Sequence, residues 1–130
     1  MLTLFRMNKS YLFLLATLIL LISCDSDIKA KFEITNQTNS VIDSVNIKSF
    51  DHLSNQSFIT LKAGESKIYW LNMTNLPKVD GDYLLTFKKN QANKEIKRFG
   101  YFTNGYPLEE ITKIQIDKDT VLIDQIFDNY

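Results

Sequence analysis

Cysteine, histidine, proline and glycine are all scarce in this chain of 130 residues, which holds one cysteine, one histidine, two prolines and four glycines. A single thiol cannot form a disulfide within the chain, so the fold must be stabilised by its core. A zinc site needs more histidine and cysteine side chains than the chain offers. The composition therefore predicts a domain with neither a disulfide framework nor a cofactor.

The one histidine, His52, follows Asp51 in a polar stretch at residues 51–55. An aspartate can orient an imidazole for acid–base chemistry, but adjacent residues of an extended chain point apart. No serine stands in a nucleophile-elbow pattern either. We interpret His52 as a solvated loop residue and predict that the protein is not an enzyme.

Apolar runs are short except for one near the start of the chain. Residues 11–22 form a run of twelve uncharged residues rich in Leu and Ile, and Arg6 and Lys9 precede it. A bilayer-spanning helix needs roughly 20 apolar residues, whereas the apolar part of a signal peptide needs about 7–15. The run ends in Leu21-Ile22-Ser23-Cys24, which places an aliphatic residue, a small residue and the single cysteine in order.

This tetrapeptide resembles the lipobox of bacterial lipoprotein signal peptides. The resemblance implies cleavage between Ser23 and Cys24, and a lipid anchor on the Cys24 thiol carrying more than one acyl chain. One chain alone would hold a protein only marginally at a membrane. Residues 1–23 are then a helical signal peptide, with Met1 or Met7 as the initiator. The alternatives are an uncleaved membrane anchor and a buried core helix.

The resemblance also implies that the protein is located in the bacterial cell envelope. Asp25 and Asp27 follow the cysteine closely. Acidic residues at this place resemble an inner-membrane retention signal of enterobacteria, and they also resemble a surface-export signal of Bacteroidota. We expect the outer membrane, with its periplasmic and surface faces both left open.

Without residues 1–23 the chain has 107 residues, with 13 basic and 15 acidic side chains and a net charge near −2. Nucleic acids and anionic lipids attract proteins that carry a basic face. The charge therefore disfavours nucleic acid as a partner and leaves the lipid on Cys24 as the link to the membrane. A chain of this size forms one domain.

From residue 31 onward, apolar and polar residues alternate with a period of two, which is typical of strands with one buried face. The clearest segments are Phe32 and Ile34, Val45 and Ile47, Tyr83 to Phe87, and Ile114 and Ile116. Segments 67–73 and 95–103 are rich in aromatic and branched residues and also fit strands. Asn, Asp and Gly dominate the spacers, where Pro77 and Pro107 also fall.

We predict an all-β fold for residues 31–130, namely a single antiparallel β-sandwich of about seven or eight strands with immunoglobulin-like architecture. Residues 24–30 are predicted to be a lipidated tether. The segments KFEITNQTNSVIDSVNI, LKAGES, DGDYLLTF and FGYFTNG, in this order, resemble small lipoproteins of the Bacteroidota. That resemblance carries no activity with it.

Four aromatic residues are candidates for a ligand platform: Tyr69, Trp70, Tyr101 and Tyr106. Tyrosine and tryptophan suit binding surfaces because one end of the ring system is apolar and the other can form hydrogen bonds. Core packing is the alternative for each ring. We expect Tyr106 to lie in the turn that follows a strand, and at least one of the neighbours Tyr69 and Trp70 to face outward.

Two other patterns have both a structural and a functional interpretation. Asp80 and Asp82 are a weak candidate cation pair, although turn formation explains them as well. Asp43-Ser44-Val45 and Asp119-Thr120-Val121 resemble the O-glycosylation sequon of exported Bacteroidota proteins, so Ser44 and Thr120 are candidate modification sites. No other metal site is predicted.

These observations favour a membrane-anchored envelope lipoprotein with a non-catalytic binding or assembly domain. One alternative is an inhibitor or immunity lipoprotein that blocks a toxin or hydrolase with a loop, either 51–55 or 72–82. A further alternative is a carbohydrate-binding surface lipoprotein. A protein or a glycan is the expected partner in these cases.

Overall fold

The structure is a computed structural model that describes residues 26–50, 57–90 and 92–128. The described residues form nine β-strands and no helix. The strands are β1 (Lys29–Asn36), β2 (Ile42–Ser49), β3 (Ile59–Leu61), β4 (Ser66–Asn72), β5 (Gly81–Lys89), β6 (Glu95–Thr103), β7 (Tyr106–Pro107), β8 (Ile111–Ile116) and β9 (Val121–Ile126). The prediction of an all-β fold is confirmed.

Two packed sheets make up the sandwich. The four-stranded sheet has the order β4-β1-β8-β9, and the five-stranded sheet has the order β3-β2-β5-β6-β7. Neighbouring strands are antiparallel in every pair except β1 and β8, which run parallel from Phe32 beside Thr112 to Asn36 beside Ile116. The prediction of antiparallel pairing is therefore wrong for this pair. Its two strands are distant in sequence, so no hairpin fixes their direction.

The alternation of the sequence appears directly as alternating burial. In β1, Ala30, Phe32 and Ile34 point into the sandwich, while the residues between them reach the surface. An aromatic cluster fills the middle of the core, where the Phe32 ring meets the Tyr83 ring edge to face at a centroid distance of 5.1 Å. Phe99 packs against both rings. Such pairs add to the stability that apolar burial provides.

Two predicted segments differ from the structure. Lys29 and Ala30, predicted as tether, belong to β1, and Ala30 is buried. Tyr106 and Pro107 were expected in a turn and a connection, but they form the short strand β7. Proline is tolerated there because β7 is the last strand of its sheet, so the missing N–H interrupts no ladder.

Strand directions place the loops at two ends of the sandwich. β1 begins where β4 ends, since Lys29 pairs with Asn72, and β8 begins where β9 ends, since Ile111 pairs with Ile126. We call this end, with residues 26–28, 73–80, 104–110 and 127–128, the proximal end. The distal end carries residues 37–41, 62–65 and 117–120.

Candidate functional site

The four predicted platform residues lie in different environments. Tyr69 is only 3% exposed, and its hydroxyl donates to the carbonyl oxygens of Ile47 at 3.2 Å and Ser57 at 3.0 Å. Asn46 Nδ2 donates to the same hydroxyl at 3.2 Å. Burial raises the pKa of Tyr69 above its usual range. Tyr69 is therefore a core residue that links the two sheets, and its assignment to a ligand platform is wrong.

Trp70 lies on the outer face of the four-stranded sheet, opposite in direction to Tyr69 and Leu71. Its side chain is 52% exposed. Lys31 is its cross-strand partner on β1, and the Lys31 Nζ lies 5.7 Å from the centre of the indole ring. A cation at this distance is attracted to the ring face. The pair forms an aromatic and cationic corner of the outer face.

A groove of about 440 Å³ crosses the same face over β1, β8 and β9. Its lining includes Glu33, Thr35, Lys113, Gln115, Leu122 and Asp124. Cavities that hold small ligands measure roughly 300–1,000 Å³. The groove therefore has the size of a small-molecule or single-sugar site.

The charges in the groove follow from strand register. Glu33 pairs with Lys113 across the parallel strands, and Lys113 pairs with Asp124 across the hairpin. An acid, a base and an acid thus stand in one row across the sheet. Opposite charges side by side reduce the net field of the groove, so its polar groups favour hydrogen bonding over the attraction of a highly charged ligand.

Tyr101 is exposed on the five-stranded sheet, where it belongs to a hydrogen-bonded cluster with the loop before β5. Its hydroxyl donates to Asp80 Oδ2 at 2.7 Å. The Thr103 hydroxyl and the Asn104 N–H donate to Asp80 Oδ1 at 2.6 and 3.0 Å. The bonds from Thr103, then Tyr101, then Asn104 hold the pKa of Asp80 below its usual range, and the bond to Asp80 raises the pKa of Tyr101.

Tyr106 and Asp82 complete this side of the molecule. The Lys78 Nζ lies 4.4 Å above the Tyr106 ring. Asp82 forms an ion pair with Arg98, whose guanidinium lies 4.1 Å from the centre of the Phe50 ring. No group of three or more His, Cys, Asp or Glu side chains that could hold a metal ion occurs among the described residues. The side-chain contacts of Asp80 and Asp82 favour the structural interpretation of the pair.

The two candidate modification sites differ in access. Ser44 is half-buried in β2, at a left-handed backbone φ of 53°. Thr120 is exposed in the turn between β8 and β9, where its carbonyl oxygen accepts a hydrogen bond from the Asp117 N–H at 2.9 Å. An enzyme could reach the Thr120 side chain without disturbing a strand.

Several sequence-based assignments lie outside the described residues. They are Ser23, Cys24, and Asp51 with His52 in loop 51–55. In the described part of the chain no helix is long and apolar enough to cross a membrane.

The groove is a candidate site that sequence reasoning missed. Glu33 and Lys113 are recognisable in the sequence as outward residues of alternating strands. Their proximity depends on the parallel pairing of β1 with β8, for which the sequence holds no turn signal. Asp124 was missed because β9 reads VLIDQI, in which apolar residues occupy both faces and the period of two is weak.

These features define an all-β sandwich that presents an exposed tryptophan and an open groove on the outer face of one sheet. Comparisons with protein-family models, with curated proteins and with solved structures give no match. The description of the chain as an all-β sandwich with an open groove therefore rests on its own fold and surface.

Proposed function

We propose that this chain is a lipid-anchored protein of the bacterial cell envelope whose β-sandwich is a non-catalytic binding module. Cys24, placed directly after an apolar run and a small residue, carries the anchor. The outer face of the four-stranded sheet, with Trp70 and the groove over β1, β8 and β9, carries the ligand. A saccharide is the ligand class that this surface favours.

The exposed indole of Trp70 is the observation that carries the proposal. Burial of Tyr69 and Leu71 fixes β4 so that Trp70 points outward, and its neighbour Lys31 restrains the ring. An exposed aromatic ring that is already held in place binds a sugar face at little cost in side-chain entropy. Thr35, Gln115 and the charged row of the groove supply hydrogen-bond partners for hydroxyl groups.

The proposal is tested by retention of the lipidated protein on insoluble envelope glycans and by its fluorescence. The chain has one tryptophan, so a change in emission on titration with soluble glycan fragments reports directly on Trp70. We expect Trp70→Ala to reduce retention by at least about tenfold, because a central aromatic contact contributes about 1.4 kcal/mol or more. The matched control is Ile96→Ala, an exposed apolar residue on the other sheet.

Equal retention of the two variants would contradict the assignment of the ligand to this face. Release of new reducing ends from the bound glycan would contradict the non-catalytic part of the proposal. Failure of the protein to label with a radioactive fatty acid, or identical labelling of Cys24→Ser, would contradict the anchor. Capture of one tight protein partner in place of glycans, lost on substitution in loop 73–80, would favour the inhibitor alternative.

A further inference from the structure

The described chain enters the sandwich at the proximal end, and hydrogen bonds fix it there. The Ile28 N–H donates to Thr74 Oγ1 at 3.0 Å, and the Met73 N–H donates to the Ile28 carbonyl oxygen at 2.7 Å. Ile28 is thereby attached to the loop that joins β4 to β5. The position of residue 28 relative to the proximal loops is set by the fold.

Cys24 is separated from Ile28 by four residue steps. Because an extended chain spans at most about 3.6 Å per residue, the two Cα atoms lie within about 14 Å of each other. A lipid on Cys24 therefore holds the proximal end within about that distance of the bilayer surface. The distal end lies farther from this anchor point, because six or more residues of each long strand separate the two ends.

The proximal end also exposes large apolar side chains. Val79, Tyr106, Leu108 and Phe127 each have between 47% and 53% of their surface exposed. Val79 lies in the loop before β5, and Tyr106 begins β7. The two segments are joined by a hydrogen bond of 3.0 Å from the Gly105 N–H to the Val79 carbonyl oxygen. Phe127 follows Ile126, whose carbonyl oxygen accepts from the Glu110 N–H at 2.8 Å at the start of β8.

We propose that this proximal end, with Val79, Tyr106, Leu108 and Phe127, is a membrane-contacting surface that packs into the headgroup region of the leaflet that holds the lipid anchor. The inference rests on the proposed anchor at Cys24 and adds a defined orientation to it. The Lys78 ammonium above the Tyr106 ring matches the combination of aromatic ring and cation that is enriched at membrane–water interfaces.

Apolar insertion, and not charge attraction, drives this contact. Lys29 is paired with Asp27 at 2.8 Å, so its charge is balanced at the same end. The acidic Asp80 lies nearby and accepts three hydrogen bonds. Residues held at the interface by apolar burial stay there when salt screens charges, so the contact should persist at high ionic strength.

The orientation has a consequence for the groove. β1 and β8 lead away from the proximal end, so the outer face of the four-stranded sheet stands along the membrane normal. Trp70 and the groove then face sideways into the compartment and not toward the lipid. A ligand can reach them while the protein stays in contact with the bilayer.

The test uses the full lipidated protein in vesicles of phosphatidylethanolamine and phosphatidylglycerol that carry a nitroxide on some headgroups. Once Cys24 carries lipid, an introduced cysteine is the free thiol of the chain. Val79→Cys is labelled with a fluorophore, and Ala63→Cys, in the exposed distal turn between β3 and β4, is the matched control. We expect severalfold stronger quenching at position 79 than at position 63, at both low and high salt.

A second experiment places the fluorophore on Leu108→Cys and introduces a negative charge at another position. Tyr106→Asp should reduce quenching at 108 by more than half, because a charge at the interface opposes insertion. Ile96→Asp, which replaces an exposed apolar residue near the distal start of β6, should leave the quenching at 108 unchanged. Thermal unfolding of both variants checks that each is folded.

The two proposals fail in distinguishable ways. Vesicles that retain the protein but quench labels 79 and 63 equally would overturn the orientation and leave the anchor intact. Loss of the difference at high salt would overturn apolar insertion as its cause. Protein that does not pellet with the vesicles at all would overturn the anchor, and the orientation with it.

Discussion

The Tyr101 hydroxyl donates a hydrogen bond to Asp80 Oδ2 across 2.7 Å and thereby joins β6 to the loop before β5. Thr103 and Asn104 donate to the other oxygen of the same carboxylate. One exposed aspartate thus fixes the β6–β7 hairpin against the loop that carries Val79.

We predict that Asp80→Ala lowers the melting temperature at pH 7 and that the difference from the parent protein shrinks in acid. The hydrogen bonds lower the pKa of Asp80 in the folded state below the ordinary value of 3.8. The stabilisation is therefore complete above that ordinary pKa and is lost as the pH falls through the lower folded-state pKa. Thermal unfolding monitored by circular dichroism from pH 7 to pH 2 measures it.

The control is Asp119→Ala, another exposed aspartate, in the turn between β8 and β9. Its melting temperature should follow that of the parent protein more closely at pH 7. A loss at Asp80→Ala that stays the same from pH 7 to pH 2 would show that packing, and not the carboxylate charge, stabilises the loop.

Asn36 is a second polar anchor, and it is fully buried at the distal end. Its Nδ2 donates to the carbonyl oxygens of Ser40, Leu61 and Lys62 at 2.8, 3.1 and 3.0 Å. Its Oδ1 accepts from the N–H and hydroxyl of Thr38 at 2.9 and 2.7 Å. We predict that Asn36→Ala costs about 3 kcal/mol of unfolding free energy, because several buried polar groups lose their partners.

Urea unfolding measures this loss as a lower midpoint with an unchanged slope. The matched control is Asn39→Ala, an exposed asparagine of the same turn, which should change stability by less than about 0.5 kcal/mol. Equal midpoints for the two variants would mean that the Asn36 hydrogen bonds do not hold β1 to the β3–β4 turn.

The sequence predicted most strands because their alternation reflects one buried face. It missed β3 and β7, which have three and two residues and are too short to show a period. It also missed β9, in which apolar residues occupy both faces. It also missed the role of Asn36, which looks like one of several turn asparagines in NQTNS. Whether such a residue is solvated or buried depends on the β3–β4 turn that packs over it, and that contact is distant in sequence.

The candidate site was predictable only in part, for a related reason. Period-two alternation requires one of Tyr69 and Trp70 to face outward, and the structure selects Trp70. The same rule cannot place residues of different strands side by side. Grouping Trp70 with Tyr101 and Tyr106 failed because they belong to different sheets. Sheet membership comes from long-range pairing, which local patterns do not encode.

Two glycines with left-handed backbones allow the cost of backbone strain to be compared with the cost of steric crowding around an added Cβ. Gly64 has φ of 72° and no atom within 4 Å of where a Cβ would lie, whereas Gly100 has φ of 64° and would place its Cβ 2.8 Å from Tyr83 Cδ2. We predict that Gly64→Ala costs about 1 kcal/mol for the backbone alone. Gly100→Ala should cost about 3 kcal/mol, because the core ring must also move.

Chemical unfolding of the two variants measures both losses, and the near-ultraviolet circular dichroism of the aromatic cluster should change in Gly100→Ala only. Similar losses for the two variants would mean that the Tyr83 ring moves aside freely. That result would contradict the close packing of the core at Gly100, where β6 has one more residue than β5 between the pairs Gly81–Phe102 and Tyr83–Phe99.

The last prediction concerns the alkaline limit of stability. Burial, and next the nearby Glu109 carboxyl, raise the pKa of Tyr83 in the folded state well above its ordinary value of 10.0. The folded protein therefore keeps a phenolic proton that the unfolded chain releases, so stability is complete below pH 10 and falls as the pH rises further. One retained proton corresponds to a slope of at most about 1.4 kcal/mol per pH unit.

We predict that the unfolding free energy of Tyr83→Phe declines less steeply above pH 10 than that of the parent protein. Tyr69→Phe should act in the same direction, since burial also raises the pKa of Tyr69, and the double variant should be the least sensitive. Urea midpoints measured between pH 8 and pH 11 decide the matter, and identical slopes for all four proteins would mean that neither hydroxyl stays protonated in the folded core.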